Sequence, residues 1–119
     1  MLENLKKDVC EIAKRAQRDG LCKHKSGNFS ARDVKSGYIV ITPTSVDREL
    51  LTPRDMIVMD LEANVIENLS GLKPTSESLM HITIYKTDVY KRQVFLSTVL
   101  TLSCRLLSCF PRRFSLVIR

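Results

Sequence analysis

The stretch Pro74-Thr75-Ser76-Glu77 contains the residues whose types and spacing are best suited to chemistry. Proline disfavours a helix on its N-terminal side, so a helix is predicted to begin directly after it. The two hydroxyls that follow the proline and the first free amides of that helix then lie at one end, which favours an anion, above all phosphate. Glu77 lies beside this anion site, and His81 follows one turn later on the same face.

A carboxylate beside a phosphate pocket needs an explanation, because the two negative charges repel each other. A nearby cation or a proton-transfer role would supply one, and Glu77 is therefore a candidate acid/base residue. The alternative is an ordinary capped helix with an acidic first turn, which is common in proteins. These residues alone leave both interpretations open.

Two earlier stretches carry polar groups of the same kind. Gly27-Asn28 can arrange consecutive amides into a concave nest that binds an anion, although such pairs also form plain turns. Pro43-Thr44-Ser45 follows a run of β-branched residues and presents two hydroxyls at a rigid exit from the predicted strand. Each stretch lies where a helix or strand is predicted to begin or end.

The pattern of apolar residues predicts the elements that position these stretches. Near the N-terminus, apolar residues at helical spacing predict an amphipathic helix that ends near Gly20: Leu5, Val9, Ile12, Ala13 and Ala16. Strands are predicted at residues 29–32, 38–42, 56–60 and 65–67, and a second helix at residues 76–86. Strands joined by short turns and flanked by helices indicate an α+β or layered α/β domain.

Composition limits the class of protein. The 119 residues suffice for one domain with a modest core, and the formal net charge is +6. Nearly all of this charge belongs to residues 88–119, where six Lys and Arg accompany Asp88 alone. The balanced remainder suits an enzyme or binding domain with no nucleic-acid or membrane partner. Four cysteines without CxxC spacing, and with no secretory leader before them, predict reduced, mostly buried thiols in a cytoplasmic protein.

The composition changes abruptly at Asp88. Residues 88–93, DVYKRQ, back-translate as GAT GTG TAT AAG AGA CAG, which resembles the transposon end used to fragment DNA for sequencing libraries. We therefore predict that residues 1–87 are the native part of the domain, and that residues 88–119 are a non-native read-through tail outside the core. The alternative is a genuine basic tail that binds nucleic acid or a membrane surface, with an apolar run too short to span a bilayer.

Taken in series, the three polar stretches resemble the class II aldolase/adducin family in their order, spacing and content. They are Gly27-Asn28-Phe29-Ser30, Ile41-Thr42-Pro43-Thr44-Ser45 and Pro74-Thr75-Ser76-Glu77, and the likeness covers residues 1–87. The resemblance implies the N-terminal part of a layered α/β/α fold with a mainly antiparallel central sheet, truncated relative to the whole domain.

The resemblance also assigns roles residue by residue. Glu77 matches the catalytic carboxylate, which lies by the zinc and is the one possible metal contact here; the family's histidine ligands are absent from this chain. His81 matches no zinc ligand and is expected to be a packed or hydrogen-bonded structural residue, and His24 a solvated loop residue. Ser45 stands where the family has glycine. The substrate phosphate is implied to contact six residues: Gly27, Asn28, Thr44, Ser45, Thr75 and Ser76.

The function implied is that of a zinc-dependent sugar-phosphate aldolase, which performs retro-aldol cleavage through a metal-stabilised enediolate. This chain, as a fragment, is expected to bind no zinc and to be inactive. A sugar-phosphate 4-epimerase or a thiosugar-phosphate dehydratase of the same family are alternatives, and an adducin-like interaction module without catalysis is another. The intact relatives imply a homotetramer acting on a phosphorylated sugar, and the sequence does not name the sugar.

Overall fold

The computed structural model describes residues 1–23 and 25–87 in full, and the backbone of residues 114–117. Both helices and all four strands that the sequence predicts are present, with ends that differ by one or two residues. The elements in chain order are helix α1 (Glu3–Arg18), strands β1 (Asn28–Arg32), β2 (Ile39–Ile41), β3 (Ile57–Met59) and β4 (Val65–Glu67), helix α2 (Ser78–Thr87) and strand β5 (Phe114–Val117).

The strands form one sheet in the order β4-β3-β2-β1-β5, and every neighbouring pair is antiparallel. From β1 to β4, strands that follow each other in the chain also lie side by side, because short connections suffice for antiparallel neighbours. Ser30 lies opposite Ile41, and Val40 lies opposite Val58. The predicted antiparallel central sheet is confirmed.

Helix α1 covers one face of this sheet. Side chains of a strand point alternately to its two faces, so one set of alternate residues in β1, β2 and β3 faces α1. The core on this side is made by residues with at most 1% exposure from the helix and the strands: Val9, Cys10, Ala13 and Ala16 against Phe29, Ala31, Val40 and Val58.

Helix α2 covers the opposite face. Ile82 packs there with the other set of alternate strand residues: Ile39, Ile41, Ile57 and Met59. Two helical layers therefore enclose the sheet, which confirms the layered α/β/α architecture. In the part of the chain that the structure describes, neither helix combines the length and apolar character needed to cross a bilayer.

Strand β5 is a difference from the sequence prediction. Residues 88–119 were expected to stay outside the core, yet Phe114–Val117 pairs with β1, and Ser115 lies opposite Ser30. The free edge of β1 offers unpaired backbone groups, and apolar residues such as those of β5 readily pair with an edge strand. The origin of residues 88–119 as read-through stays a prediction, and residues 88–113, 118 and 119, with Cys104 and Cys109, lie outside the described residues.

Candidate phosphate-binding site

The site lies where the end of β2 meets the segment that leads into α2. Pro43 and Pro74 face each other in an isolated antiparallel bridge. Next to this bridge, the Thr75 amide donates a hydrogen bond of 3.2 Å to the Thr42 carbonyl. This pairing brings the second and third polar stretches of the sequence side by side.

The hydroxyl of Thr75 connects this pair to the first polar stretch. It donates to Asn28 Oδ1 at 2.5 Å and lies 3.4 Å from the Glu77 amide, which donates to it. Thr75 is buried and Asn28 is half-buried. Because Oδ1 accepts from Thr75, the Nδ2 amide group is the end of the Asn28 side chain that can donate to an anion. The hydroxyl proton of Thr75 is engaged with Asn28, so only the oxygen of this hydroxyl remains available to another donor. A contact between Thr75 and a phosphate stays a prediction.

In the turn after β2, the hydroxyls of Thr44 and Ser45 are the groups available to a phosphate, because the Thr44 amide already has a backbone partner. The Thr44 amide donates to the Lys73 carbonyl at 2.9 Å, whereas the hydroxyls of Thr44 and Ser45 lie 3.4 Å apart. Ser45 is exposed and has a φ of 60°, in the left-handed region that favours glycine. This conformation favours glycine, the residue that the family resemblance implies at this position, whereas this chain has serine there.

Gly27 occupies a backbone position that disfavours other residues for two reasons. Its φ is 80°, and a Cβ atom placed on it would lie 3.0 Å from the Cβ of Cys22. Cys22 is itself buried, which raises the pKa of its thiol. The bend at Gly27 lets β1 begin at Asn28 with its side chain directed to Thr75.

A Gly27→Ala substitution is expected to lower the free energy of unfolding by about 2–3 kcal/mol. The left-handed conformation costs a non-glycine residue roughly 1–2 kcal/mol, and crowding against Cys22 adds roughly 1 kcal/mol or more. Gly20→Ala is the matched control, because Gly20 has a φ of 76° but no atom within 4 Å of the added Cβ. Urea unfolding measures both variants, and an equal loss in the two would contradict the crowding argument.

Glu77 lies at the start of α2. Its carbonyl accepts hydrogen bonds from the amides of Met80 (3.0 Å) and His81 (3.2 Å), so it acts as the first acceptor of the helix. Ser76 beside it is exposed, and the Glu77 side chain is half-buried. The sequence predicted free amides in the first turn of this helix, but several of them have backbone partners. Besides those of Met80 and His81, the Ser78 amide donates to the Thr75 carbonyl at 3.1 Å. An anion here therefore depends on side-chain donors as well as on the helix end.

His81 is fully buried on the inner face of α2, so the prediction of a packed, hydrogen-bonded histidine is confirmed. Its Nδ1 lies 2.7 Å from Ser30 Oγ, which lies 2.9 Å from the Tyr85 hydroxyl. Within the described residues its Nε2 has no hydrogen-bond partner. Burial lowers the pKa of His81 to about 4, because the charged imidazolium loses its hydration.

No metal site is formed by the described residues. Across residues 1–23, 25–87 and 114–117, no three His, Cys, Asp or Glu side chains come together as metal ligands would. Cys10 and Cys22 are free and buried, as expected for reduced thiols. His24 lies outside the described residues, so its predicted solvated position is untested. The described residues therefore offer no set of ligands for a zinc ion.

Sequence reasoning missed Arg48. It lies in the charged run Asp47-Arg48-Glu49, which is typical of a solvated surface, yet it is only 1% exposed. Its guanidinium donates four hydrogen bonds to backbone carbonyl oxygens of the loops that carry the first two polar stretches. Nothing in the local sequence signals this, because its main acceptor is 21 residues away.

Comparison with known proteins gives a consistent result. The family model described as Class II Aldolase and Adducin N-terminal domain matches residues 7–94. L-ribulose-5-phosphate 4-epimerase UlaF of Salmonella paratyphi C (strain RKS4594) is 33% identical over 85 residues, which are 71% of this chain and 36% of that protein. The chain thus spans about a third of the length of the curated relatives that it matches.

Solved structures agree with this match. An L-fuculose 1-phosphate aldolase superposes with a TM-score of 0.66 and 31% identity, over 71% of this chain and 39% of the other. The L-fuculose-1-phosphate aldolase from Thermus Thermophilus gives a TM-score of 0.56 and 27% identity, over 78% and 43% of the two chains. The matched fold is therefore shared well beyond the three polar stretches.

Proposed function

The chain belongs to the class II aldolase and adducin N-terminal domain family, and from this we propose that it carries the phosphate-binding half of a sugar-phosphate active site. The observation that supports this most directly is the convergence of three separate stretches, through the Thr75–Asn28 hydrogen bond and the Pro43–Pro74 bridge. The proposed phosphate ligands are the six polar residues of these stretches: Gly27, Asn28, Thr44, Ser45, Thr75 and Ser76.

We propose retro-aldol cleavage of a phosphorylated sugar as the reaction of the intact enzyme. Removal of a hydroxyl proton lets the neighbouring carbon–carbon bond break. The carbon that bears this hydroxyl leaves in an aldehyde, and the electron pair of the broken bond forms an enediolate on the other product. Glu77 lies at the helix start beside the phosphate-binding residues, where its carboxylate would carry a proton to or from the reacting carbons. The phosphate contacts would hold the sugar in register with this carboxylate.

A 4-epimerase is the second candidate, because the curated relative at 33% identity is named an L-ribulose-5-phosphate 4-epimerase. An epimerase of this kind would break the same carbon–carbon bond and form it again. If the aldehyde presents its opposite face in the second step, the configuration at one carbon is inverted. The dehydratase alternative and the adducin-like interaction module have no such relative among those described above. Glu77 and the phosphate residues are compatible with both the aldolase and the epimerase.

Zinc is proposed as the cofactor of the intact enzyme, where it would supply a Lewis acid for the enediolate charge. Glu77 is the residue of this chain that the family resemblance places near it. We propose that this 119-residue chain, which lacks the histidine ligands that the family resemblance implies, has no turnover by itself. A homotetrameric assembly and a cytoplasmic location of the intact enzyme belong to the same proposal.

An Asn28→Asp substitution tests the phosphate site. It keeps the shape of the side chain and the oxygen that accepts from Thr75, but it replaces the Nδ2 donor with a negatively charged oxygen. Affinity for inorganic phosphate and for a phosphorylated sugar, measured by isothermal titration of the 119-residue chain, is expected to fall at least about tenfold, as for loss of one charge-assisted hydrogen bond.

Asn4→Asp is the matched control, because it adds the same charge at the opposite end of α1. Asn4 is the second of the 16 residues of α1, so it lies about 21 Å along the helix axis from Arg18, where the loop toward Asn28 begins. Phosphate binding that survives Asn28→Asp, or that falls equally in Asn4→Asp, would count against the proposed site.

A further inference from the structure

Arg48 is a buried cation that contacts two of the loops of the proposed site. Its side chain donates to three carbonyl oxygens: Nε and Nη2 to Gly27 at 3.1 and 2.6 Å, Nη2 to Lys25 at 3.1 Å, and Nη1 to Val46 at 3.0 Å. Two of these acceptors belong to the loop before β1, and the third follows Ser45. One side chain therefore holds together the loops that carry the first and second polar stretches.

This hydrogen bonding fixes the direction of the neighbouring amides. A peptide unit is planar and trans, so its carbonyl and the following N–H point in opposite directions. The Gly27 carbonyl points toward Arg48, and the Asn28 amide therefore points away from it. The same holds for the Val46 carbonyl and the Asp47 amide. Arg48 lies behind the two loops and orients their polar groups outward.

The charge of Arg48 is the second part of the argument. Its hydrogen bonds end on neutral carbonyl oxygens, which satisfy the donors without cancelling the positive charge. Guanidinium stays protonated at any ordinary pH, even where burial disfavours its charge. At 1% exposure the charge is little screened by water, and the Asp47 carboxylate offsets only part of it, so it raises the electrostatic potential of the loops that it contacts.

We propose that Arg48 is a positioning residue for the phosphate site: it sets the geometry of the Gly27-Asn28 and Thr44-Ser45 loops from behind and supplies a buried positive charge to them. This inference rests on the proposed phosphate-binding function. The planar guanidinium is required for it, because one side chain must reach three acceptors at once, which a single ammonium group reaches less well.

The test compares Arg48→Lys and Arg48→Met with the unchanged 119-residue chain, using inorganic phosphate as the probe. Phosphate affinity is expected to fall at least about tenfold in Arg48→Met and by a smaller factor in Arg48→Lys, which keeps the charge but not the fork of donors. Amide NMR shifts of Gly27 and Asn28, recorded without phosphate, are expected to move in both variants. Hydrogen exchange at these amides is expected to accelerate.

Arg18→Met is the matched control. Arg18 is an exposed arginine that pairs with Glu49, next to Arg48, at 3.1 and 3.3 Å. The Arg18→Met substitution removes one positive charge nearby, but Arg18 donates no hydrogen bond to the Gly27-Asn28 or Thr44-Ser45 loop among those described. Phosphate affinity is therefore expected to be unchanged. Equal weakening in Arg18→Met would reduce the effect to net charge and overturn the positioning role.

The two proposals fail in different ways. If the unchanged chain shows no phosphate binding, the proposed function fails, while the NMR shifts still report whether Arg48 orients the loops. Arg48→Lys that folds, keeps full phosphate affinity and leaves the Gly27 and Asn28 amides unmoved would overturn the inference alone. Arg48→Lys retains the positive charge and a long side chain. If Arg48→Met fails to fold, the phosphate affinity and amide shifts of Arg48→Lys still test the inference.

Discussion

A Glu77→Gln substitution, made in a version of this protein extended to the full length of its relatives, is expected to lower kcat by about two to four orders of magnitude. Glutamine has the same size and shape as glutamate but cannot accept or deliver a proton at neutral pH. If Glu77 carries protons at the reacting carbons, the chemical step loses its acid/base while substrate binding is retained. Steady-state rates on a phosphorylated sugar measure kcat and KM separately.

The backbone hydrogen bonds of Glu77 do not depend on its carboxylate. Glu77 contributes to α2 through its backbone: its carbonyl accepts from Met80 and His81, and its amide donates to the Thr75 hydroxyl. Glutamine keeps these backbone hydrogen bonds, and the melting temperature of the variant measures any other effect of the substitution on stability. A fall in kcat at constant stability would then report proton transfer rather than damage to the helix.

Glu62→Gln is the matched control for this substitution. Glu62 is an exposed carboxylate in the turn between β3 and β4, where its nearest ionic contact is Lys86 at 3.7 Å. The same chemical change there is expected to leave kcat unchanged, since a surface ion pair of this kind contributes little. Undiminished turnover in Glu77→Gln would restrict Glu77 to a structural role at the start of α2.

The fold was predictable from local sequence because its elements have strong local signals. Ile39–Ile41 and Ile57–Met59 are short apolar runs bounded by turn residues, and both are buried strands. The helical spacing of Val9, Ala13 and Ala16 fixes the buried face of α1. In each case the pattern depends only on neighbours within one element, and so it could be seen without the structure.

Long-range contacts at the site were not predictable in this way. The Thr75 hydroxyl bonds to a residue 47 positions earlier, and no periodicity relates the two. Only the family resemblance grouped these stretches. Arg48 had no signal at all, since a buried arginine and a surface arginine look alike in a charged run. Strand β5 was missed because its pairing depends on the free edge of β1, which lies more than 80 residues earlier in the chain and is not visible in the local sequence.

Acidification from pH 7 to pH 5 is expected to lower the free energy of unfolding by about 2 kcal/mol through His81 alone, rising to about 3 kcal/mol near pH 4. The pKa of His81 is about 4 in the fold and 6.5 in the unfolded chain. Between these values the unfolded chain binds the proton and the folded chain does not, so stability falls as the pH falls. Above pH 7 both states are neutral, and the effect vanishes.

This pH range separates His81 from the carboxylates. Hydrogen bonds lower the pKa of Asp60, chiefly from Asn64, and of Glu67, chiefly from Lys6. Their contributions are present above the unfolded pKa values, near 4, and are lost only below them. Urea unfolding measured at several pH values between 7 and 5 therefore reports mainly on histidine.

His81→Asn is the variant that tests this assignment, because its amide can still reach Ser30 but does not titrate. Its unfolding free energy is expected to be nearly constant between pH 7 and 5, whereas His24→Asn, which removes the other histidine of the chain, is expected to keep the slope. A slope that disappears with His24 instead would refute the role of His81. The His81 amide closes the first turn of α2 on the Glu77 carbonyl. Because a pKa of about 4 keeps the folded imidazole neutral at pH 5, this turn and the phosphate affinity are expected to be unaffected by His81 until the pH approaches 4.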